Sequence, residues 1–211
     1  MVENDPFSEH SERYEGWFEE HEDVYRSELR ALSKKIPQEG KGVEIGVGSG
    51  RFSEPFPIDV GVDPSPEMLN LAEKKEIDVI RGVGEKLPLD SNSFDFVLIV
   101  TTICFFDKPL EALKESERIL KENGNILIGF IDKDSPLGRT YQERRKDNVF
   151  YEEATFFSVE EVVTLLKWAD FDDFSFVQTL FDGLDLDEVE EVKEGHGEGS
   201  FVVVKGKKSQ A

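Results

Sequence analysis

Apolar residues follow two different patterns along this chain. Through the first 40 residues they recur every three or four positions between charged side chains, which predicts amphipathic helix. After Gly42 the pattern changes to short apolar runs that are typical of buried strands. These runs predict seven strands, at residues 43–45, in the segment ending at 63, and at 77–81, 94–100, 125–131, 174–180 and 201–204.

Helix signals separate most of these runs. Ser65 is placed as an N-cap, with Pro66 in the first helical position, and this pair predicts a helix to about residue 75. Pro109 begins another helix. Ser158 and Glu161 have the spacing of a capping box, in which each side chain bonds the backbone of the other residue.

Strands that alternate with helices form parallel sheets covered on both faces. We therefore predict an α/β fold with a doubly wound, mostly parallel, seven-stranded sheet and an N-terminal helical cap. The last two strands have no convincing helix between them, which predicts an antiparallel hairpin at one edge. Residues 182–199, which join these strands, are acidic and contain several glycines, so we interpret them as a solvated loop.

The charge of the chain excludes some partners. Acidic residues outnumber basic ones by 46 to 25, and the net charge is −21. Such a surface repels phosphate backbones and anionic lipids, so we expect neither nucleic acid nor membrane as a partner. Cys104 is the single cysteine, and no cluster has metal-ligand spacing, so we expect no metal. The start does not resemble a signal peptide and no apolar run approaches about 18 residues, which favours a cytoplasmic protein.

The sequence EIGVGSG at residues 44–50 is the strongest chemical signal. Glycines after a buried strand let a ligand approach the backbone closely. The nicotinamide-dinucleotide pattern G-x-G-x-x-G needs glycine at position 51, which is Arg51, and Glu44 would repel a pyrophosphate. A ligand with cationic groups and no phosphate, such as S-adenosylmethionine, fits better. The simpler alternative is a strand-to-helix turn without a ligand.

Asp63 lies 19 residues after Glu44, at the end of the next predicted strand. A carboxylate in this position can accept hydrogen bonds from both hydroxyls of a ribose. An Asp before a proline also occurs simply as the entry to a helix. The spacing from the glycine-rich run favours the ribose contact.

Five motifs extend this pattern: EIGVGSG at 44–50, VDPS at 62–65, GVGEKLPL at 82–89, SFD at 93–95 and the helix end at 115–124. They occur in the same order in the class I S-adenosylmethionine-dependent methyltransferases, which the chain resembles over about residues 40–132. The resemblance is greatest to the small-molecule group that includes ubiquinone-biosynthesis-like enzymes. It implies a Rossmann-like methyltransferase fold with S-adenosylmethionine as cofactor.

The resemblance implies a role for each residue of the glycine-rich run. Glu44 and the backbone of Gly46 would hold the methionine end of the cofactor. Gly48 and Gly50 would let the cofactor lie against the loop, and Asp63 would bind the ribose.

Further along the chain, the resemblance implies contacts to the adenine and to the reacting sulfonium. Pro64 and Met68 would pack near the adenine. Gly84 would donate its backbone N–H to the adenine edge, with Glu85 beside it. Thr101 would lie under the sulfonium and face the acceptor. The family often has an acidic residue where this chain has Val83, so any side-chain contact to the adenine amino group must come from elsewhere.

The sequence identifies no catalytic base. Methyl transfer is an in-line displacement at an activated sulfonium, so positioning alone can supply most of the acceleration. His10 and His21 lie in the predicted cap, where packing is the commoner role for a histidine. Five aromatic residues fit either a pocket around the acceptor or helix packing: Tyr14, Trp17, Phe18, Phe105 and Phe106.

We therefore predict a methyltransferase that acts on an unidentified small-molecule acceptor, with a slight preference for a cationic or amine-bearing one. The alternatives are a non-catalytic S-adenosylmethionine-binding regulatory protein and, less favoured, a nicotinamide-dependent oxidoreductase. A single domain is expected, with the cap at 1–38, a cofactor-binding half at 39–132 and a substrate-side insertion, helix and edge strands at 133–211. The oligomeric state is not predicted.

Overall fold

The computed structural model describes residues 6–209 and contains the helices and strands that the pattern predicts. The helices are α1 (Pro6–Glu9), α2 (Ser11–Glu20), α3 (Glu22–Ser33), α4 (Pro66–Glu73), α5 (Pro109–Ile119), α6 (Pro136–Glu143) and α7 (Val159–Trp168). The strands are β1 (Gly42–Ile45), β2 (Ile58–Asp63), β3 (Asp78–Arg81), β4 (Phe94–Val100), β5 (Leu120–Ile131), β6 (Phe171–Thr179), β7 (Lys193–Glu194) and β8 (Phe201–Lys208). Short 3₁₀ turns occur at Ile103–Phe105 and Arg145–Asp147.

The strands form one mixed sheet in the order β3-β2-β1-β4-β5-β8-β6-β7. The first five strands are parallel, and β8 is antiparallel to both β5 and β6. This arrangement confirms the predicted fold class and the antiparallel edge.

The predicted strand count of seven is wrong, because the sheet of the described residues has eight strands. The additional strand, β7, lies within the acidic segment that the sequence predicts to be a loop. Its two residues pair with Val177 and Gln178 of β6. A pairing this short is made by backbone groups alone, so it leaves no hydrophobic pattern in the sequence.

Local signals set the helix ends as predicted. The Ser65 side chain accepts a hydrogen bond from the Met68 backbone N–H at the start of α4. Ser158 and Glu161 form the capping box of α7. After the glycine-rich run, residues 51–57 form turns instead of a helix, since the prolines at 55 and 57 cannot continue one.

The two faces of the sheet have separate cores. On one face α5 and α7 pack with Leu113, Val162 and Leu166 fully buried. On the other face, α3 packs against β6 and β8 through Ala31 and Leu32. No helix lies between β1 and β2, and the N-terminal α3 covers part of this face. No helix within residues 6–209 is long and apolar enough to cross a lipid bilayer.

Candidate functional site

The strand order reverses between β1 and β4, so the loops that follow these strands diverge and leave a crevice at their carboxyl ends. A cavity of about 2110 Å³ opens there. Pockets for one drug-sized ligand measure about 300–1,000 Å³. This cavity therefore has room for two small molecules side by side.

Most of the predicted site residues lie around this cavity. Those that line it are Gly46, Gly48, Asp63, Pro64, Met68, Gly84, Glu85 and Thr101. They come from the ends of β1, β2, β3 and β4 and from the first turn of α4. The fold thus brings residues together that are more than 50 positions apart in the sequence.

The glycine loop, residues 46–50, has a backbone that other residues rarely adopt. Gly46 and Gly48 have φ angles of +75° and +52°. A side chain at Gly46 would overlap Thr102, whose hydroxyl donates to the Gly46 carbonyl over 3.2 Å. A Cβ at Gly48 would meet only the Tyr14 side chain, whose hydroxyl oxygen would lie 3.5 Å away. Gly48 therefore leaves open space on the cavity side, and close packing of the protein does not account for its lack of a side chain.

Asp63 connects the end of β2 to the glycine loop. Its carboxylate accepts the backbone N–H of Gly48 over 3.0 Å and that of Ser65 over 2.9 Å. A carboxylate offers about four acceptor positions, so one group can hold the loop and also bind ligand hydroxyls. The helix-entry role and the ligand role, which the sequence presents as alternatives, are compatible in this geometry.

Glu44 and Gly50 do not line the cavity, in contrast to the other predicted residues. Glu44 is 1% exposed, and the Ser53 hydroxyl donates to its carboxyl over 2.5 Å. Burial raises the pKa of Glu44 to about 8. A Cβ at Gly50 would lie 2.5 Å from Ile77, so Gly50 lets α4 and β3 approach the loop. Both residues contact protein on the side of the loop away from the cavity. Their predicted contacts with a cofactor stay predictions.

The far end of the cavity is formed by the turn at residues 82–86. Gly84 is in close contact with the Phe106 ring, because a Cβ there would lie 2.6 Å from a ring carbon. The Glu85 carboxylate accepts the Lys108 backbone N–H over 3.2 Å, which fixes it beside the turn. Val83 stays 45% exposed. Phe106, which the sequence suggests for the acceptor pocket, therefore lies with Gly84 at this end.

Thr101 carries backbone strain at the centre of the site. Its φ angle is +48°, which is uncommon for a β-branched residue. The Thr101 N–H donates to the Gly129 carbonyl over 2.8 Å, and the Cys104 thiol donates to the Thr101 carbonyl over 3.4 Å. Strain of this kind persists where the surroundings impose it, commonly at functional sites. Burial raises the pKa of Cys104 to about 12, so this thiol is unreactive.

The N-terminal segment divides into two parts with different surroundings. Helices α1 and α2 border the cavity, whereas α3 belongs to the core and reaches the cavity only through Glu28. Residues 1–5 of the predicted cap lie outside the described residues.

Glu15 of α2 joins this segment to the glycine loop, a contact that the sequence pattern does not predict. Its carboxylate pairs with the Arg51 guanidinium at 2.7 Å and accepts the Ser49 hydroxyl. Arg51 also lies over the Phe18 ring, 5.3 Å from its centre. In the sequence Glu15 is one acidic residue among many on a helix, and Arg51 served only to exclude a nicotinamide site. We call these contacts the Glu15 clasp.

Aromatic side chains form a wall of the cavity, which reaches the glycine loop at Tyr14. Phe7 makes edge contacts with Tyr14 and Phe105, at centroid distances of 5.6 and 5.1 Å, and a tilted contact with Phe150 at 5.2 Å. Tyr141 of α6 stacks on Tyr151 at 5.0 Å. The wall thus combines residues of the N-terminal segment with residues of the 133–157 insertion, whose role the sequence leaves open.

Among residues 6–209, no histidine around the cavity is placed as a catalytic base. His21 stacks on Trp17 at 4.9 Å, and its Nδ1 lies 3.1 Å from the Trp17 carbonyl, so helix packing accounts for its position. His10 is exposed, and its ring is nearly perpendicular to that of Phe150 with 6.3 Å between the ring centres. Between residues 6 and 209, no three His, Cys, Asp or Glu side chains are arranged to hold a metal ion.

Comparison with known proteins gives consistent matches. Residues 43–128 match the family described as "Methyltransferase domain". An uncharacterized protein of Methanocaldococcus jannaschii is 46% identical over 202 residues, which cover 96% of this chain and 98% of that protein.

Solved structures agree with these matches. A Thermotoga maritima structure, described as an "SAM-dependent methyltransferase, possible histamine N-methyltransferase", is 50% identical, with a TM-score of 0.94 over 96% of this chain and 98% of the other. A SAM-dependent methyltransferase of Archaeoglobus fulgidus is 15% identical, with a TM-score of 0.70 over 92% of this chain and 99% of the other. At that identity the likeness is one of fold alone.

Proposed function

The chain belongs to the family of S-adenosylmethionine-dependent methyltransferases, and we propose that it transfers the cofactor's methyl group to a small molecule that carries an amino group. The observation that carries this proposal is the arrangement of the glycine loop and Asp63 on one wall of a cavity large enough for a second molecule. Two facts favour an amine: the net charge of −21, which attracts cations, and the description of the Thermotoga maritima relative.

The residues present fit S-adenosylmethionine at the loop side of the cavity. Gly48 has no side chain where the methionine end would lie, and Asp63 offers acceptor oxygens for the ribose hydroxyls. The turn at Gly84 would hold the adenine beside Phe106. The aromatic wall then faces the remaining space, where the acceptor would bind.

When bound, the cofactor supplies a methyl group on a sulfonium that already activates it for displacement. The protein's part is to align the acceptor and exclude water, which in favourable cases lowers a barrier by about 7–11 kcal/mol. The strained Thr101 backbone and the aromatic wall would form the surfaces between which the two reactants align. No residue is assigned as a base, because a neutral nitrogen attacks through its lone pair and can release any excess proton to water afterwards.

We expect Asp63→Asn to weaken S-adenosylmethionine binding about 10- to 100-fold, since hydrogen bonds to charged groups contribute about 1.5–3 kcal/mol. Asp59→Asn is the matched control. Asp59 lies near the other end of the same strand, and its carboxylate also accepts a backbone N–H, that of Gly42 in β1, over 2.8 Å. Calorimetric titration with the cofactor measures both variants. Equal affinity of Asp63→Asn and the wild type would contradict the ribose contact.

Enzymatic activity itself is tested by incubating the protein with S-adenosylmethionine and a panel of small amines, with formation of the demethylated cofactor as the readout. We expect turnover with at least one amine and none with the matching alcohols. Cofactor binding without turnover of any acceptor would contradict the enzymatic proposal and favour the non-catalytic binding protein.

A further inference from the structure

One buried acidic residue at the cavity is not explained by the fold or by the cofactor. Glu28 lies on α3, on the helix face that packs against the sheet, and is only 4% exposed. It is nevertheless among the residues that line the cavity. Its neighbours along this face, Val24, Ala31 and Leu32, are fully buried apolar residues.

The Glu28 carboxyl has no hydrogen-bond or ion-pair partner within the described chain, residues 6–209. The same residues contain no side-chain nitrogen or oxygen that is both fully buried and without a partner. The Glu28 oxygens must therefore reach a surface, and the surface next to them is that of the cavity. A nearly buried carboxyl is thus directed into the space that we assign to the acceptor.

The titratable groups around Glu28 are tyrosines. They are Tyr14 of α2, Tyr25 of α3, Tyr141 of α6 and Tyr151 in the segment that follows. Burial raises the pKa of each phenol, and the charge of Glu28 adds to this rise. All four are therefore neutral near pH 7. No cation of the described chain compensates the carboxylate, and burial raises the pKa of Glu28 to about 8.

An unpaired buried carboxyl costs stability, and acidic residues are almost never fully buried without a partner. A glutamine or a leucine on this face of α3 would avoid that cost. Departures of this kind from the rules of stable folding are expected at functional sites. A cation that enters the cavity would pair with the carboxylate, and the surrounding aromatic faces would attract it further.

We propose that Glu28 binds the ammonium group of the methyl acceptor, an inference that rests on the proposed function. A protonated amine has no lone pair, so the group held by Glu28 is not the atom that receives the methyl group. The acceptor therefore carries two functional groups: an ammonium that anchors it at Glu28, and a separate neutral nucleophile that faces the sulfonium. The aromatic wall requires a flat or apolar body between the two.

The test compares wild type, Glu28→Gln and Glu22→Gln, each saturated with the demethylated cofactor. Glu22 is on the same helix with its side chain 71% exposed, which makes it the matched control. The probes are pairs that differ only by ammonium or hydroxyl: histamine with imidazole-4-ethanol, and phenethylamine with 2-phenylethanol. We expect wild type and Glu22→Gln to bind at least one amine with roughly 10- to 100-fold higher affinity than its alcohol. Glu28→Gln should lose this preference.

The outcomes separate this proposal from the one on which it rests. If wild type does not bind the cofactor, the proposed function fails. If wild type and Glu28→Gln bind the cofactor equally but wild type prefers no amine, the proposed binding of an ammonium group by Glu28 is wrong. A preference that persists in Glu28→Gln overturns it as well.

Proton release gives a readout that a merely structural carboxyl would not produce. With its pKa near 8, Glu28 is mostly protonated at pH 7, and pairing with an ammonium favours the ionised form. Binding of the amine that wild type prefers should therefore release about one proton more from wild type than from Glu28→Gln. Calorimetry in buffers of different ionisation enthalpy measures this number. Equal proton release from both proteins would overturn the proposal.

Thermal unfolding shows whether Glu28→Gln folds. Because the folded-state pKa is raised from 4.5 to about 8, the folded protein keeps a proton that the unfolded chain loses. Wild type therefore loses stability as the pH rises from 4.5 to about 8, and the loss is complete above that range. Glutamine removes this dependence, so Glu28→Gln should melt at a higher temperature than wild type at pH 9.

Discussion

Deletion of residues 1–21 is expected to give a soluble protein that binds the cofactor weakly and has lost methyl transfer on the order of 1000-fold, through the loss of positioning and water exclusion. The deletion removes α1 and α2, and with them Tyr14 above the glycine loop and the Glu15 clasp. Helix α3 remains and keeps its five buried residues, whereas α2 contributes only Phe18 to the core. The sheet face therefore stays covered.

Gel filtration, circular dichroism and turnover measurements check this result. An insoluble or unfolded product would show that α2 is needed for folding, and full activity would show that it does not cover the site. Glu15→Gln serves as a milder companion, because it weakens the clasp and leaves the helix in place. Its activity is expected to lie between those of wild type and the deletion.

Gly48→Val is the second change with a large expected effect, a loss of cofactor affinity of about 100-fold or more, equivalent to about 3 kcal/mol. The Cβ would point into the cavity and the valine methyl groups would occupy the space of the ligand. A left-handed backbone also costs an L-residue about 1–2 kcal/mol. That cost weakens the fold but does not by itself prevent binding.

Gly195→Val separates the effect of backbone strain from the loss of space for the ligand. Gly195 has a φ angle of +88° and nothing within 4 Å of a Cβ, so valine there adds backbone strain far from any ligand. Both variants should melt below wild type, and only Gly48→Val should fail to bind the cofactor in a titration. Normal binding by Gly48→Val would mean that the glycine loop is only a turn.

Signals that act over a few residues made much of the fold predictable. The caps at Ser65 and Ser158 work through backbone groups three positions away, so their sequence spacing is sufficient to identify them. Glycine is also favoured at positions 46 and 48 because both residues have positive φ angles. Strand β7 left no signal, because backbone pairing of Lys193 and Glu194 does not depend on their side chains.

The candidate site was predictable where one strand end or loop determines it, and not where distant elements meet. Glu44 lies on a strand buried on both faces, and the pattern of such a strand does not tell which face a side chain takes. Glu28 did leave a signal, since it stands in the buried stripe of α3 with Val24, Ala31 and Leu32. The functional interpretation of Glu28 depends on its surroundings in the cavity, which include Tyr141 from a distant part of the chain.

The position of β8 determines when the protein can fold during its synthesis. This strand comes late in the sequence but lies in the middle of the sheet, paired with β5 on one side and β6 on the other. Until residues 201–208 have left the ribosome, each of those neighbours has an open edge that can pair with another chain. At about 5–20 residues per second, translation from residue 131 to residue 208 takes roughly 4–15 s. During that interval the nascent chain is exposed to pairing with other chains, and a truncation before β8 would leave the sheet in two unpaired parts.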